Sequence, residues 1–241
     1  HEEFVTFICI SNEIGGNLVG NAKWKGVRVK DVLEEARVKA AARKVIFRAH
    51  DGYSTGVPLE RCLGPQTFLA YEMNGQELPE DHGFPLRVVI PGYYGMKQPK
   101  WLTEIELVDH DYKGYWEQRG WADEAVVKTM SRIDLPLHRG EVSRTPVAVG
   151  GVAFSGERGI HKVEISPDGG KTWQEAQLKE PLSPYSWVLW AGVSEVTKEG
   201  DYLVTVRATD GQGRAQEETV ADPLPDGASG YHKIRVKVKR T

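Results

Sequence analysis

Along the first hundred residues, short apolar stretches alternate with polar turns at intervals that suit strands and brief helices. Residues 4–10 read as a strand, followed at once by the polar, glycine-bearing turn Ser11-Asn12-Glu13-Ile14-Gly15-Gly16. Trp24-Lys25-Gly26-Val27 reads as a turn. Val29, Val32, Leu33 and Ala36 then recur at helical spacing, with Asp31, Glu34 and Glu35 on the polar side. Residues 44–49 read as a largely buried strand closed by Asp51-Gly52. Residues 59–63 suit one helical turn after Pro58. Strands are expected at 67–73, 86–90 and 101–108, with Asn74-Gly75 as a tight turn. Strands and short helices mix without a regular βαβ alternation, which argues for an α+β unit.

The texture changes after Arg132-Ile133-Asp134-Leu135-Pro136. Helical periodicity ends, and short strands follow at 147–154, 161–166, 187–190, 202–208 and 234–238. Turn signals separate them: Ser166-Pro167-Asp168-Gly169-Gly170, Glu199-Gly200-Asp201 and Thr209-Asp210-Gly211. The pattern is that of an all-β, immunoglobulin-like sandwich. Two domains are expected, 1–132 and 133–241, with 109–146 serving as the connection.

Composition narrows this picture only a little. The chain has 241 residues, 40% hydrophobic and 27% charged, with a net charge of −3. That balance gives no support for nucleic-acid binding, which favours a concentrated basic surface. No apolar run approaches the ~20 residues of a membrane span, and the N-terminus shows no signal-peptide pattern. Two cysteines, Cys9 and Cys62, make no disulfide framework.

Candidate chemistry gathers at two places. Cys9 stands at a strand end beside a polar turn, where a thiol can face a cleft. The residues alone leave two readings open: a small buried hydrophobe, or a thiolate for a soft transition metal with Ser11, Asn12 and Glu13 around it. No Cys or His lies at zinc spacing from Cys9, so most other ligands of a metal there would come from a cofactor. The second place runs from His82 through Arg87 and the loop with Gly92 and Gly95 to Lys100. Arginine offers a planar fork to phosphate oxygens and lysine a point charge; surface charges are the plainer alternative. The loop is not a Walker or dinucleotide motif. Tyr53, Tyr93, Tyr94 and Tyr112 read first as core or rim aromatics, and Trp173, Trp187 and Trp190 as sandwich core or interface.

The N-terminal region resembles the molybdopterin-binding domain of the sulfite oxidase family. The resemblance rests on Cys9-Ile10-Ser11-Asn12 with Gly15-Gly16, Trp24-Lys25-Gly26-Val27, Asp51-Gly52-Tyr53, and His82-Gly83-Phe84-Pro85-Leu86-Arg87-Val88-Val89 running into Lys100-Trp101-Leu102. The C-terminal region resembles that family's dimerisation domain, through Gly150-Gly151-Val152-Ala153, residues 159–166, Asp168-Gly169-Gly170-Lys171-Thr172-Trp173 and Arg207-Ala208-Thr209-Asp210.

That resemblance implies a molybdenum-cofactor (molybdopterin) oxidoreductase that works by two-electron oxo transfer on a small-molecule substrate. It implies Cys9 as the metal ligand and Tyr112, in Asp111-Tyr112-Lys113-Gly114, as a second catalytic residue near the metal. Asn12, Asp51, His82, Arg87 and Lys100 become the cofactor-binding set. No haem motif of the Cys-x-x-Cys-His kind is present, so a separate electron acceptor is expected. The C-terminal domain implies a homodimer, and the family's bacterial members imply an extracytoplasmic location ahead of a cytoplasmic one.

Two departures stand out. Sulfite oxidases place arginine shortly after the ligand cysteine, whereas here Glu13-Ile14 follows, and a carboxylate opposes an anionic substrate. Sulfite is therefore not the expected substrate. Only eight residues precede Cys9, fewer than the family's cofactor domains carry, so an N-terminal truncation is expected. Two rival readings remain: a non-catalytic assembly module without cofactor, and a thiol enzyme with Cys9 as nucleophile.

Overall fold

The computed structural model describes residues 1–143, 146–196 and 198–239. The chain divides into two compact units. The first comprises His1–Ile10, Val19–Val127 and Leu224–Asp226; the second comprises Ser11–Leu18, Lys128–Pro223 and Gly227–Thr241.

In the first unit the elements run β1 (Glu2–Ile8), β2 (Val19–Arg28), α1 (Val29–Glu35), β3 (Lys44–Ala49), β4 (Ser54–Pro58), α2 (Leu59–Leu63), β5 (Phe68–Met73), β6 (Gln76–Glu77), β7 (Arg87–Val89) and β8 (Leu102–Val108). One antiparallel sheet has the order β1-β2-β5-β6, with β7 also paired to β5. A second has the order β4-β3-β8. Helix α1 forms where the periodicity placed it and turns Val29 and Leu33 into a core with Val45, Phe47, Val57, Leu69, Val88 and Ile90. That core takes in Val88 of β7, the neighbour of the candidate residue Arg87.

The expected turn at 24–27 lies instead in the second half of the ten-residue strand β2. Its glycine serves a bulge. The β2–β5 register shifts between Lys25 and Gly26, and a Cβ on Gly26 would stand 1.9 Å from the Leu69 carbonyl oxygen. Glycine inside a strand often marks such a bulge or close backbone approach.

The second unit holds β9 (Met130–Leu135), β10 (Gly140–Val142), β11 (Val147–Phe154), β12 (Ile160–Ser166), β13 (Gln174–Glu175), β14 (Gln177–Leu178), β15 (Val188–Ser194), β16 (Gly200–Asp210) and β17 (His232–Val238). Two sheets, β10-β17-β16-β12-β13 and β14-β15-β11-β9, contribute to one core. Val163, Val204 and Ile234 come from the first, Ile133, Val149 and Trp190 from the second, as a two-sheet sandwich requires. The expected connection at 109–146 therefore contains two strands. Strand β9 gives little sequence signal because its buried positions, Ser131 and Ile133, include only one large apolar side chain.

The segment Ser11–Leu18 is built into this second unit. Arg132 Nη1 donates to the Gly16 carbonyl at 2.8 Å, and the His232 ring occupies the space a Cβ on Gly15 would need, 2.3 Å away. His232 Nδ1 accepts the Ile133 N–H at 3.0 Å. Burial lowers the His232 pKa, and the positive charges of Arg132 and His138 act the same way against the opposing Asp134. The neutral ring is therefore the folded form, and protonation favours unfolding. The second unit should lose stability as pH falls through about 6.5, the unfolded value of histidine. Thermal melts between pH 8 and 5 should show the loss, and His232→Gln should flatten it.

Candidate molybdopterin site

Strand β1 pairs with β2 from Glu2↔Lys25 to Ile8↔Val19, and the next residue, Cys9, leaves the ladder with its side chain exposed. Cys62 is fully buried in α2, where burial pushes its thiol up. The sequence thus places two thiols in opposite environments, and only Cys9 faces outward.

Two residues before Cys9, the Phe7 ring stacks on Trp24 with centroids 4.9 Å apart. The Arg87 guanidinium lies 4.5 Å from the Phe7 centroid and 5.0 Å from that of Trp24, a cation over two aromatic faces. Arg87 Nη1 donates to the His82 carbonyl at 2.8 Å and Nη2 to the Gln98 carbonyl at 3.2 Å. Its burial pushes the guanidinium down to about 9, which leaves it cationic at neutral pH.

Gly83 explains how His82, Arg87 and Lys100 come together. Its φ is +113°, and a Cβ there would stand 3.0 Å from Lys100 Cβ and 3.1 Å from Arg87 Cβ. Only glycine lets the two cationic side chains leave the backbone side by side. Lys100 Nζ donates to the Asp81 carbonyl at 2.8 Å and lies 4.2 Å from the Trp101 centroid. His82 is exposed at the end of the 3-10 turn Glu80–His82.

Asp51 occupies the hairpin turn between β3 and β4 and accepts the Tyr53 N–H at 3.0 Å. The neighbouring His50 N–H donates to the Trp101 carbonyl at 2.9 Å, which puts this turn beside the residue that follows Lys100. Asn12 behaves differently from the rest of the expected set. It is buried in the second unit, its Oδ1 accepts the Leu18 N–H at 2.8 Å, and its Nδ2 donates to the Glu13 carbonyl at 3.3 Å. Its visible work is closing its own turn.

The Tyr112 hydroxyl lies 2.8 Å from Ser54 Oγ and 3.5 Å from Arg48 Nη1. A second phenol, Tyr53, has a raised pKa. Burial first, then the negative charges of Glu117, Asp51 and Cys9, push its pKa up. In the sequence Tyr53 reads as a core or rim aromatic, and Ser54, Arg48 and Lys97 carry no local signal of a role. These residues take their roles from pairings between distant segments.

Among the described residues no three His, Cys, Asp or Glu side chains gather into a metal-holding group. A metal held at Cys9 would take its other ligands from a cofactor.

The profile of the oxidoreductase molybdopterin binding domain matches residues 1–116, and that of the Mo-co oxidoreductase dimerisation domain matches residues 123–239. The mitochondrial sulfite oxidase of Rattus norvegicus is 32% identical over 289 aligned residues, covering 99% of this chain and 53% of that protein. The human mitochondrial sulfite oxidase is 34% identical, covering 91% and 47% respectively. The chain belongs to the sulfite oxidase family. Its fold is that of the Paracoccus pantotrophus sulfane dehydrogenase SoxCD crystal structure, at a TM-score of 0.83 over 98% of this chain and 68% of that one, with 20% identity. A molybdopterin-binding domain followed by a β-rich dimerisation domain is thus the architecture of this family member. The chain spans about half the length of the mitochondrial sulfite oxidases it matches.

The residues present suit a molybdopterin. Arg87 Nε is buried with no hydrogen-bond partner among the described residues. An orphaned cationic donor of this kind is what an anionic oxygen would satisfy, and Lys100 and His82 add donors beside it.

Proposed function

We propose that the chain carries a molybdenum-cofactor oxidoreductase activity, with the Cys9 thiolate as the protein's metal ligand. The observation that supports it most is the cluster built around Gly83. It sets three cationic or potentially cationic side chains on one loop system, and the Arg87–Phe7 contact joins that system to the strand bearing Cys9.

Bound there, the cofactor supplies two-electron oxo transfer. The chain's own residues divide the remaining work. Cys9 presents a soft thiolate. Arg87, Lys100 and His82 hold the phosphate and the pterin edge, with Asp51 at the same end of the fold. Tyr112, oriented by Ser54 and Arg48, directs a hydroxyl for substrate or proton handling. Asn12 contributes by ordering the turn that follows Cys9.

The substrate is a small molecule other than sulfite. The turn after Cys9 exposes Glu13, and a carboxylate there disfavours an approaching dianion. Electrons leave to a separate acceptor, and the protein works on the extracytoplasmic side. Metal analysis by plasma mass spectrometry tests the core of this reading. Protein expressed with molybdate should carry about one molybdenum per chain, as one thiolate ligand per site implies. Absence of molybdenum from protein made with its natural flanking sequence would refute it.

The second unit serves as a homodimerisation module. Trp190 is core, at 3% exposure, so it cannot form the contact. The outward face of β15 and β11 suits one better. Leu189, Ala191 and Val193 pair with Val152, Gly150 and Ala148, and Leu189, Ala191, Val193 and Ala148 are exposed. A face so poor in charge across two adjacent strands is unusual on a solvated sheet. Leu189→Glu should convert a dimer to a monomer in light scattering at micromolar concentration, with the fold unchanged by circular dichroism.

A further inference from the structure

One short 3-10 turn, Gly95–Lys97, lies against the chain just before Cys9. A Cβ on Gly95 would be 3.6 Å from the Ile8 carbonyl oxygen. The turn closes on itself through Lys97 N–H to Tyr94 O at 2.9 Å and Gln98 N–H to Gly95 O at 3.0 Å.

The turn is held at two points, by the Tyr53 side chain from β4's leading turn and by its own Lys97 side chain reaching away from it. The Tyr53 hydroxyl donates to the Met96 carbonyl at 2.5 Å. Lys97 has no exposed surface, and its Nζ donates to Glu117 Oε1 at 2.5 Å, Asp123 Oδ1 at 3.0 Å and the Gly56 carbonyl at 3.0 Å. Thr55 Oγ1 donates to the same Glu117 oxygen at 2.6 Å. All three donors of Lys97 are therefore used, and each partner comes from a different segment.

We propose that Tyr53 and Lys97 are positioning residues for Cys9, clamping the turn Gly95–Lys97 from two sides so that the strand end bearing the thiol rests on a fixed surface. A thiolate ligand sets metal geometry through its own torsions, so a rigid backing fixes the orientation of the sulfur. A neutral phenol suits this role. Burial above all keeps the proton on Tyr53, so the hydroxyl remains a donor to the Met96 carbonyl. The inference deepens the assignment of Cys9 as ligand and rests on it.

Tyr53→Phe is the central test, because it removes one hydroxyl and keeps the ring that lies 6.1 Å from Tyr115. In the chain purified without cofactor, the alkylation rate of Cys9 by iodoacetamide reports its freedom, since buried Cys62 stays silent. The rate should rise at least about threefold in Tyr53→Phe and not in Tyr71→Phe, an exposed tyrosine on β5, as expected when a buried hydrogen bond is lost at one site only. In molybdenum-loaded protein, Tyr53→Phe should keep its metal while the Mo(V) resonance and the sulfur-to-metal absorption shift. Should Tyr53→Phe not fold, Glu117→Gln, which keeps the shape and loosens the Lys97 side, should raise the Cys9 rate in the same way. An unchanged rate and unchanged spectra in folded variants overturn the clamp. If Cys9→Ser retains molybdenum, the ligand assignment fails on its own, and the alkylation rate still judges the clamp.

Discussion

Replacing Cys9 by serine should empty the proposed molybdenum site while leaving the fold intact. The side chain is exposed at the end of β1, so a change of one atom disturbs no packing. Its chemistry changes greatly. A thiol ionises near neutral pH and gives a soft, polarisable ligand, whereas a serine hydroxyl stays protonated and hard. Losing a residue that merely supports a metal ligand costs about 10- to 100-fold in affinity or activity, and losing the protein's own ligand should exceed about 100-fold. Plasma mass spectrometry of wild type and Cys9→Ser, expressed side by side with molybdate, measures the effect. Full metal occupancy in the serine variant would refute the assignment. Faster reaction of an electrophilic probe in the absence of metal, coupled to a turnover that needs none, would favour the thiol-enzyme alternative.

Much of the fold is legible in the sequence where one local signal dominates. Val29 and Leu33 declare α1 because both fall on one helical face and both are buried. Asn74 and Gly75 declare their hairpin because both adopt positive φ, at 53° and 78°. Strand β11 appears at its expected limits because valine and alanine run through it on a glycine-tolerant bulge. The reading fails where a residue answers to a partner far along the chain. Gly26 looks like a turn residue and is a bulge against Leu69. Ser131 looks like linker and is a buried strand position that donates to Gln216 Oε1 at 2.6 Å.

The candidate site divides along the same line. Cys9, His82, Arg87 and Lys100 stand in recognisable runs, and the structure gathers the last three around Gly83. Asn12 stands in such a run too, yet its amide is engaged within its own turn. The residues that hold the surrounding loops, Tyr53, Lys97 and Glu117, lie far apart in sequence, and no spacing rule joins positions 53, 97 and 117.

Lys97→Met should strongly destabilise the first unit without touching a proposed ligand. The Lys97 and Glu117 side chains are each 1% exposed. Removing the ammonium leaves the Glu117 carboxylate buried, with Thr55 still donating to one oxygen and no partner on the other. Asp123 keeps Lys44 at 2.9 Å and Lys113 at 2.8 Å, so the cost concentrates on Glu117. Breaking a buried ion pair from one side typically costs about 3–5 kcal/mol, a large share of the roughly 5–15 kcal/mol that holds a domain folded. For a domain of this size that corresponds to a fall of roughly 10–20 °C in Tm. Differential scanning calorimetry should show the fall in the transition of the first unit. The double variant Lys97→Met with Glu117→Gln should recover part of the loss, because the penalty belongs chiefly to the stranded charge. If the double variant is less stable than Lys97→Met alone, the stranded charge is not what the single change exposes. The cost would then lie in lost packing around the lysine stem.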